Sequence, residues 1–485
     1  MKEYKSIRFN FVMNFILTMS NFLFPLITFP YISRVLLASG IGTVSFATSI
    51  IAYFSMIGMM GVPTYGIRAC AKVRDDENKL RKVVYEILLL NLCFMFFSII
   101  ILSIAIFSVE KLYQEKELYF ILASSLVFNV LGVEWLYKAL EKYSYITIRS
   151  LIFKICSLIL LFVFVKSSDD YLIYAAITVF ATVGAGVLNF LNLRNVLKLK
   201  IEPDLDLLTH IKPSFSFFLL TVSITIYANL DTIMLGFYQG DEAVGYYTAA
   251  VKVKQILISV VTSLGAVLLP RLAFYYEHNR LDEFNDLIKK SLGFVLVISI
   301  PLVVYFTLNA QDTILFLSGD KFIPSILPLQ LIMPSLLFIA LSNLMGWQIL
   351  VPMNKDKQLV ISTFFGAVVG LSLNLIFIPW LGVSGAAISS SVAELSVVII
   401  QIIFLRKIVL DILKSICPSI GKILIGVILS TTTVFMVNEL WVFYPFLNLL
   451  ITGGVFFISY LFFLLIMKEH FTFQIMNAAI SKIIK

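Results

Sequence analysis

Apolar runs about 20 residues long, separated by short polar connectors, recur along almost all of this 485-residue chain. At 1.5 Å per helical residue, about 20 residues cross the roughly 30 Å hydrocarbon core of a bilayer. In that solvent each backbone amide must be satisfied within its own segment, so runs of this length and composition form α-helices. About fourteen such spans are expected by this measure. They cover 9–35, 41–62, 83–107, 118–140, 146–165, 171–193, 214–238, 245–269, 291–310, 323–351, 359–380, 383–405, 416–437 and 444–467. The tenth is overlong and interrupted by Pro328 and Pro334. The fold class is therefore all-α and polytopic.

Composition supports the same reading and excludes others. The chain is 60% hydrophobic and 14% charged, with mean hydropathy +0.96, where soluble domains run near 45–50% and 25%. Its formal charge of +8 does not point to nucleic acid, because the bases are scattered between spans rather than clustered on a polar domain. Cys70, Cys93, Cys156 and Cys417 lack the paired spacing of a disulfide framework or zinc site. His210, His278 and His470 lie far apart in basic connectors and read as surface or headgroup residues, so no metal and no cofactor is expected. Lys2, Lys5 and Arg8 ahead of an apolar run resemble a signal peptide. That run is too long and lacks a small-residue cleavage site, so it reads as an uncleaved first helix.

Basic residues fix the expected orientation. Alternate connectors carry Arg68, Lys72, Arg74, Lys79, Arg81 and Lys82, then Lys138, Lys142 and Arg149, then Arg194, Lys198, Lys200 and Lys212, and so on to the C-terminal tail. The opposite connectors carry Glu110, Glu115, Glu117, Asp169, Asp170, Asp241, Glu242, Asp312, Asp320 and Glu439. The positive-inside rule makes the basic side cytosolic, and an even span count puts both termini there. Outward connectors are short, roughly 5–15 residues, which leaves no room for an outer catalytic domain.

Charges inside the apolar spans are few: Arg34, Glu134, Lys154, Asp231, Lys252, Lys254 and Glu394. Each costs several kcal/mol in lipid unless it faces a polar place. In the stretch 229–254, Asp231 lies seven residues before Tyr238 and Lys252 seven after Gly245. On two antiparallel helices both sit roughly 10 Å below the same face, as an interhelical pair or as the lining of one wet cavity. Lys252 and Lys254 cannot share a helix face, and Lys252 matches the depth of Asp231. Arg34 follows Pro25 and Pro30, which kink the first span; it either snorkels to headgroups or offers its planar fork to a phosphate. Glu134 and Lys138 are spaced for an i,i+4 ion pair, and Lys154 either snorkels or faces inward. Glu394, near mid-membrane with Gln401 on the same face, is either protonated or an ion or proton site. A weak internal repeat relates 33–47 to 231–250, near the start of each half.

Several segments resemble one family. YISRVLLASGIGTVSFA (31–47), GVPTYGIRACAKVRDD (61–76) and EWLYKALEKYSYITIRS (134–150) look like the N-terminal half of Wzx-type oligosaccharide repeat-unit flippases. The stretch 229–254, LLPRLAFY (268–275) and LGVSGAAISSSVAE (381–394) look like their C-terminal half. The resemblance implies the fold of the multidrug/oligosaccharidyl-lipid/polysaccharide exporters, MATE-like: two pseudo-symmetric six-helix bundles in a V, over 1–212 and 213–407, with two further helices in 408–485. It implies an undecaprenyl-pyrophosphate-linked oligosaccharide as cargo, flipped from the inner to the outer leaflet of a bacterial cytoplasmic membrane for O-antigen or capsule synthesis. It also implies a cationic cavity. Arg34 and Lys252 match the family's motifs there, with Asp231 as balancing acid, and Lys154 is added from its place in the fifth span. Asp231 and Glu394 are the candidates for charge pairing or for coupling to H+ or Na+. Membrane lipids, and a polysaccharide polymerase with its chain-length regulator, are the expected partners.

Two other readings compete. An ion-coupled multidrug or organic-cation antiporter of the same fold would want an acidic or apolar cavity, against Arg34 and Lys252. A membrane glycosyltransferase or polymerase would want a large loop or a soluble domain. No nucleophile–base arrangement and no Walker-type loop is present, so the chain reads as a transporter rather than an enzyme.

Overall fold

In the computed structural model, residues 7–197, 205–262, 265–440 and 444–473 are described. All regular structure among them is helical. The helices divide into two compact units, Met1–Gly245 and Tyr246–Lys485.

The first unit opens with α1 (Ile7–Met59), which holds two spans in one continuous element. They are separated at Leu37, whose backbone leaves the helix (φ 61°, ψ −175°). The turn expected over 36–40 is thus a single residue, and that residue is leucine, not Gly40. Then follow α2 (Val62–Lys72), α3 (Glu77–Ser108), α4 (Glu110–Gln114), α5 (Lys116–Leu131), α6 (Glu134–Ala139), α7 (Tyr143–Phe164), α8 (Tyr171–Val196) and α9 (Leu208–Gln239). The α3 start is capped by Asp76, which accepts the N–H groups of Asn78 (3.2 Å) and Lys79 (3.1 Å). Gly240 (φ 85°) alone separates α9 from α10 (Asp241–Thr262), so the connector expected between 238 and 245 shrinks to one residue.

Helix α7 shows why these elements pack as they do. Ile148, Ile152, Ile155 and Ile159 form an outward stripe at helical spacing, each 54–58% exposed. Ile146, Arg149, Ser157 and Leu161 are buried on the opposite side. Such an outward apolar face suits hydrocarbon rather than water. Inside, amide side chains satisfy carbonyls near breaks in the spans. Asn91 Nδ2 donates to the Gly58 carbonyl (2.8 Å) and Asn189 Nδ2 to that of Gly132 (2.8 Å), next to Val133 at φ 37°. Tyr137 Oη donates to the Asn189 carbonyl at 2.7 Å.

The second unit holds the rest of α10, then α11 (Gly265–Glu277), α12 (Leu281–Leu308), α13 (Ala310–Ser318), α14 (Ile326–Ile332), α15 (Pro334–Asn343), α16 (Asp356–Phe404), α17 (Arg406–Leu440) and α18 (Pro445–Ile466). The expected broken tenth span is α14 and α15, bent by 46° and continued by a π-helical turn over Leu344–Leu350. Helix α16 holds two spans that part at Gly382 (φ 55°), between the expected 359–380 and 383–405. Tyr305 Oη donates to the Leu449 carbonyl (2.8 Å) and Tyr460 Oη to that of Val297 (3.0 Å), tying α12 to α18.

Among the described residues ten helices are long and apolar enough to cross a membrane, and up to twelve when bent pairs are included. Two of them, around Leu37 and Gly382, each carry two of the expected spans, which is consistent with fourteen crossings.

One expectation is corrected. His210 is not a surface residue: it is 6% exposed, its Nε2 lies 2.9 Å from Glu86 Oε2, and its Nδ1 lies 2.6 Å from Tyr65 Oη. Glu86 also accepts the Asp206 backbone N–H at 2.7 Å. A buried carboxylate needs such partners. The pair bridges α3 and the start of α9, which sequence distance hides. His278 and His470 are exposed, as expected.

Candidate functional site

Lys154 is the most informative of the expected site residues. It lies mid-way along α7, half-buried, and reaches across to α1. Its Nζ donates to Ser20 Oγ (2.7 Å) and to Asn21 Oδ1. Both acceptors are neutral, and among the described residues no carboxylate pairs with it. The side chain therefore does not snorkel to a helix end. It holds a positive charge among polar groups inside an otherwise apolar helix layer, where an ammonium needs hydrogen bonds to be tolerated.

Arg34 is exposed, one turn after Pro30 on α1. Its Nη1 donates to the Pro30 carbonyl (2.5 Å), which also accepts the Ser33 hydroxyl at 3.3 Å. The guanidinium thus folds back along its own helix. Asp231, on α9 in the same unit, is half-buried.

In the second unit, Lys252 is half-buried on α10 and makes no hydrogen bond or ion pair among the described residues. Two residues on, Lys254 is the more buried of the pair, at 8% exposure. Glu394 is buried on α16. Gln401, two turns further, is also buried; its Nε2 donates to Ser362 Oγ at 3.3 Å, while its Oε1 has no hydrogen-bond partner among the described residues. The π-helical turn approaches this amide, since a Cβ on Gly346 would stand 3.2 Å from Gln401 Nε2. Wide turns of this kind are often found where a helix serves function. Glu134 and Lys138 pair at 2.8 Å, as their i,i+4 spacing predicts.

Two charged features escaped the sequence reading. Arg149, counted there among connector bases, is 5% exposed in the second turn of α7, and its Nε and Nη1 have no hydrogen-bond partner among the described residues. Asp241, counted as an outer-loop charge, and Lys111, which the sequence reading did not single out, form an ion pair at 2.8 Å. Asp241 also accepts the Thr43 hydroxyl (3.0 Å), while Lys111 donates to the Gly236 carbonyl and stands 4.5 Å from the Phe46 ring centroid. Alongside, the backbones touch: a Cβ on Gly42 would meet the Asp241 carbonyl oxygen at 1.6 Å, and one on Gly245 that of Ala38 at 1.9 Å. The second half of α1 and the α9–α10 tip are therefore joined backbone to backbone.

Helices of this number, length and apolarity define a multi-pass membrane protein. The family model described as "Polysaccharide biosynthesis protein" matches residues 7–276, more than half of the chain, and the chain belongs to that family. The MatE family model matches 217–376. A protein of Escherichia coli strain K12 named "Putative O-antigen transporter" is 25% identical over 417 residues, spanning 83% of this chain and 97% of that one. A Shigella dysenteriae protein of the same name is 24% identical over 401 residues, spanning 81% and 98%. Among solved structures, the lipid II flippase MurJ in an inward closed conformation superposes with a TM-score of 0.74 at 16% identity, over 93% of this chain and 98% of that one. An inward-facing multidrug resistance MATE transporter of the MOP superfamily gives 0.63 at 14% identity, over 83% and 99%. The fold is that of this superfamily.

Proposed function

We propose that the protein flips a lipid-linked oligosaccharide for surface polysaccharide synthesis. The cargo in this reading is an undecaprenyl-pyrophosphate-linked repeat unit, moved from the inner to the outer leaflet of the bacterial cytoplasmic membrane. The observation that carries it is Lys154: an ammonium inside a membrane helix bundle, bonded only to neutral oxygens among the described residues. An uncompensated cation there is costly unless an anion visits it. Moving even one small ion into hydrocarbon costs roughly 20 kcal/mol in the idealised limit, so a pyrophosphate needs groups that replace its hydration. Arg34 and Lys252 would join Lys154 in a cationic central cavity, Arg34 with a fork suited to phosphate oxygens. Asp231 and Glu394 would balance charge or take up the coupling H+ or Na+. Access would alternate between the two faces while the prenyl tail stays in lipid. The bias of basic residues toward one set of connectors supports cytosolic termini, and the relatives' names support O-antigen as the destination glycan.

A direct test reconstitutes the full chain in vesicles with a fluorescent undecaprenyl-pyrophosphate oligosaccharide and a membrane-impermeant quencher. Protein-dependent loss of the protected pool is expected, with Lys154→Ala abolishing it. The MatE match over 217–376 favours the second reading, an ion-coupled drug antiporter. Restored drug resistance in efflux-deficient cells, with no transport of the labelled glycolipid, would replace the first reading by that one.

A further inference from the structure

A charged cavity lies in the second unit, apart from the candidate site residues above. It measures about 240 Å3 and opens where the start of α12, the first half of α17 and the chain just beyond α18 converge. Its wall carries Lys289, Lys290 and Lys422 together with Asp286, Glu469 and His470. The charges are not equivalent. Asp286 is taken up by Lys290 at 2.6 Å. Glu469, 1% exposed, is occupied by the N–H groups of Phe471 (3.2 Å) and Thr472 (2.8 Å) and by the Thr472 hydroxyl (2.8 Å). Lys422 donates to a neutral acceptor, the Lys468 carbonyl, at 3.0 Å. Lys289 has no hydrogen bond or ion pair among the described residues. Three lysines against two carboxylates leave the wall with one net positive charge, and neither Lys289 nor Lys422 is in an ion pair among the described residues.

What adjoins the cavity selects between anions. Leading away from Lys422 along α17, Leu424, Ile425 and Ile428 are 48%, 50% and 62% exposed. Leading away from Glu469 along α18, Ile466 and Phe462 are 61% and 58% exposed. Basic residues at this end of α12 and α17 are thus followed, one to two turns further along α17 and α18, by exposed apolar residues, the order of polarity along a phospholipid. The volume is below the roughly 300–1,000 Å3 of pockets that enclose a whole drug-sized ligand, so it suits a phosphate headgroup whose chains lie outside. Basic pockets between membrane helices are a known way of holding anionic lipids.

We propose that this cavity binds the phosphate of an anionic phospholipid, with Lys289 and Lys422 as its ligands and the α17–α18 flank receiving the acyl chains. The site is separate from the flipping reading and stands or falls without it.

The test uses the full chain in neutral detergent, read by native mass spectrometry and by thermal unfolding. The probes are dioleoyl phosphatidylglycerol, dioleoyl phosphatidylcholine and inorganic phosphate. Phosphatidylglycerol should be retained and should raise the unfolding midpoint, while phosphatidylcholine does neither. The double variant K289Q/K422Q should weaken phosphatidylglycerol binding by about fivefold per lysine. A charge-matched control away from the cavity, K355Q/K357Q, should change it less than twofold. Gly293→Leu, which fills the cavity without removing a charge, should reproduce the loss. Equal effects of the two lipids, or equal losses in the control, would overturn the proposal. Full stabilisation by inorganic phosphate with nothing added by lipid would overturn the lipid assignment. Should the variants fail to purify, the comparison of the two lipids on the unaltered chain decides alone.

Discussion

Lys111 and Asp241, far apart in sequence, meet at 2.8 Å beside the backbone contact between α1 and the α9–α10 tip. Both side chains are about one-quarter exposed, so the pair is only partly screened. Asp241→Asn should loosen this contact by about 1–3 kcal/mol, because Lys111 keeps its charge but loses its partner. A water-soluble maleimide should then label Ala38→Cys faster than in the otherwise unaltered chain. Unchanged labelling would mean the pair holds nothing closed.

Gly42 and Gly245 should tolerate no side chain. Their new Cβ atoms would lie 1.6 Å and 1.9 Å from carbonyl oxygens, and backbone cannot step aside as a flexible side chain can. Gly42→Ala and Gly245→Ala should therefore sharply lower the yield of folded protein in detergent. Gly421→Ala and Gly454→Ala, with nothing within 4 Å of the added atom, should be neutral or slightly stabilising through helix propensity. Fluorescence-detected size-exclusion chromatography separates the two outcomes.

Lys154→Ala should reduce surface glycan at least tenfold in cells that depend on this chain, with the protein still in the membrane. Lys154→Arg should retain part of it, since the charge and donors to Ser20 and Asn21 persist. Arg34→Ala and Lys252→Ala should also reduce it. Immunoblots of glycan and of protein in the same membranes give the comparison, and full glycan in all three alanine variants would remove the cationic-cavity reading.

Glu469 carries a pH dependence. Burial pushes its carboxyl up, but the Thr472 N–H and hydroxyl and the Phe471 N–H outweigh burial and hold it below its ordinary value of 4.5. A depressed carboxyl contributes stability that is complete above that ordinary value and is lost as pH falls through the folded one. Glu469→Gln should thus melt below the unaltered chain at pH 7, and the gap should close as pH falls below that ordinary value. A gap that widens on acidification would contradict the sign.

Tyr65→Phe should cost about 1 kcal/mol by removing one hydrogen bond to His210. His210→Ala should cost about 3 kcal/mol, because Glu86 is then left buried without its imidazole partner. Chemical unfolding of the two variants should rank them in that order.

Much of this was legible in the sequence because span length is set by the bilayer and span ends by polar clusters. The breaks near 36–40 and 381–382, and the broken tenth span at Pro334, follow from those signals alone. Which residue bends was less legible: at 36–40 the left-handed backbone falls on Leu37, while Gly40 stays helical with its Cα face against Leu36 and the Ser168 carbonyl. Lys154 was found because a lysine deep in an apolar run is conspicuous. Arg149, Glu86 and His210 were not, because near a span end a charged residue looks the same whether it turns outward or inward. The Lys111–Asp241 pair was invisible for another reason: each residue sits in an ordinary polar turn, and only the folded chain brings the turns together.

The glycine seam has one more consequence. Where two helices meet through bare backbone, no interlocking side chains have to be pulled from one another's grooves. Beside the seam, water entering the gap has to break the Lys111–Asp241 ion pair, the Thr43 hydroxyl's bond to Asp241 and the Lys111 bond to the Gly236 carbonyl, and to part the Phe46 ring from Gly236. Such a closure is fastened at one corner, by the cluster around Lys111 and Asp241, while the glycine contacts beside it carry no side-chain interlock.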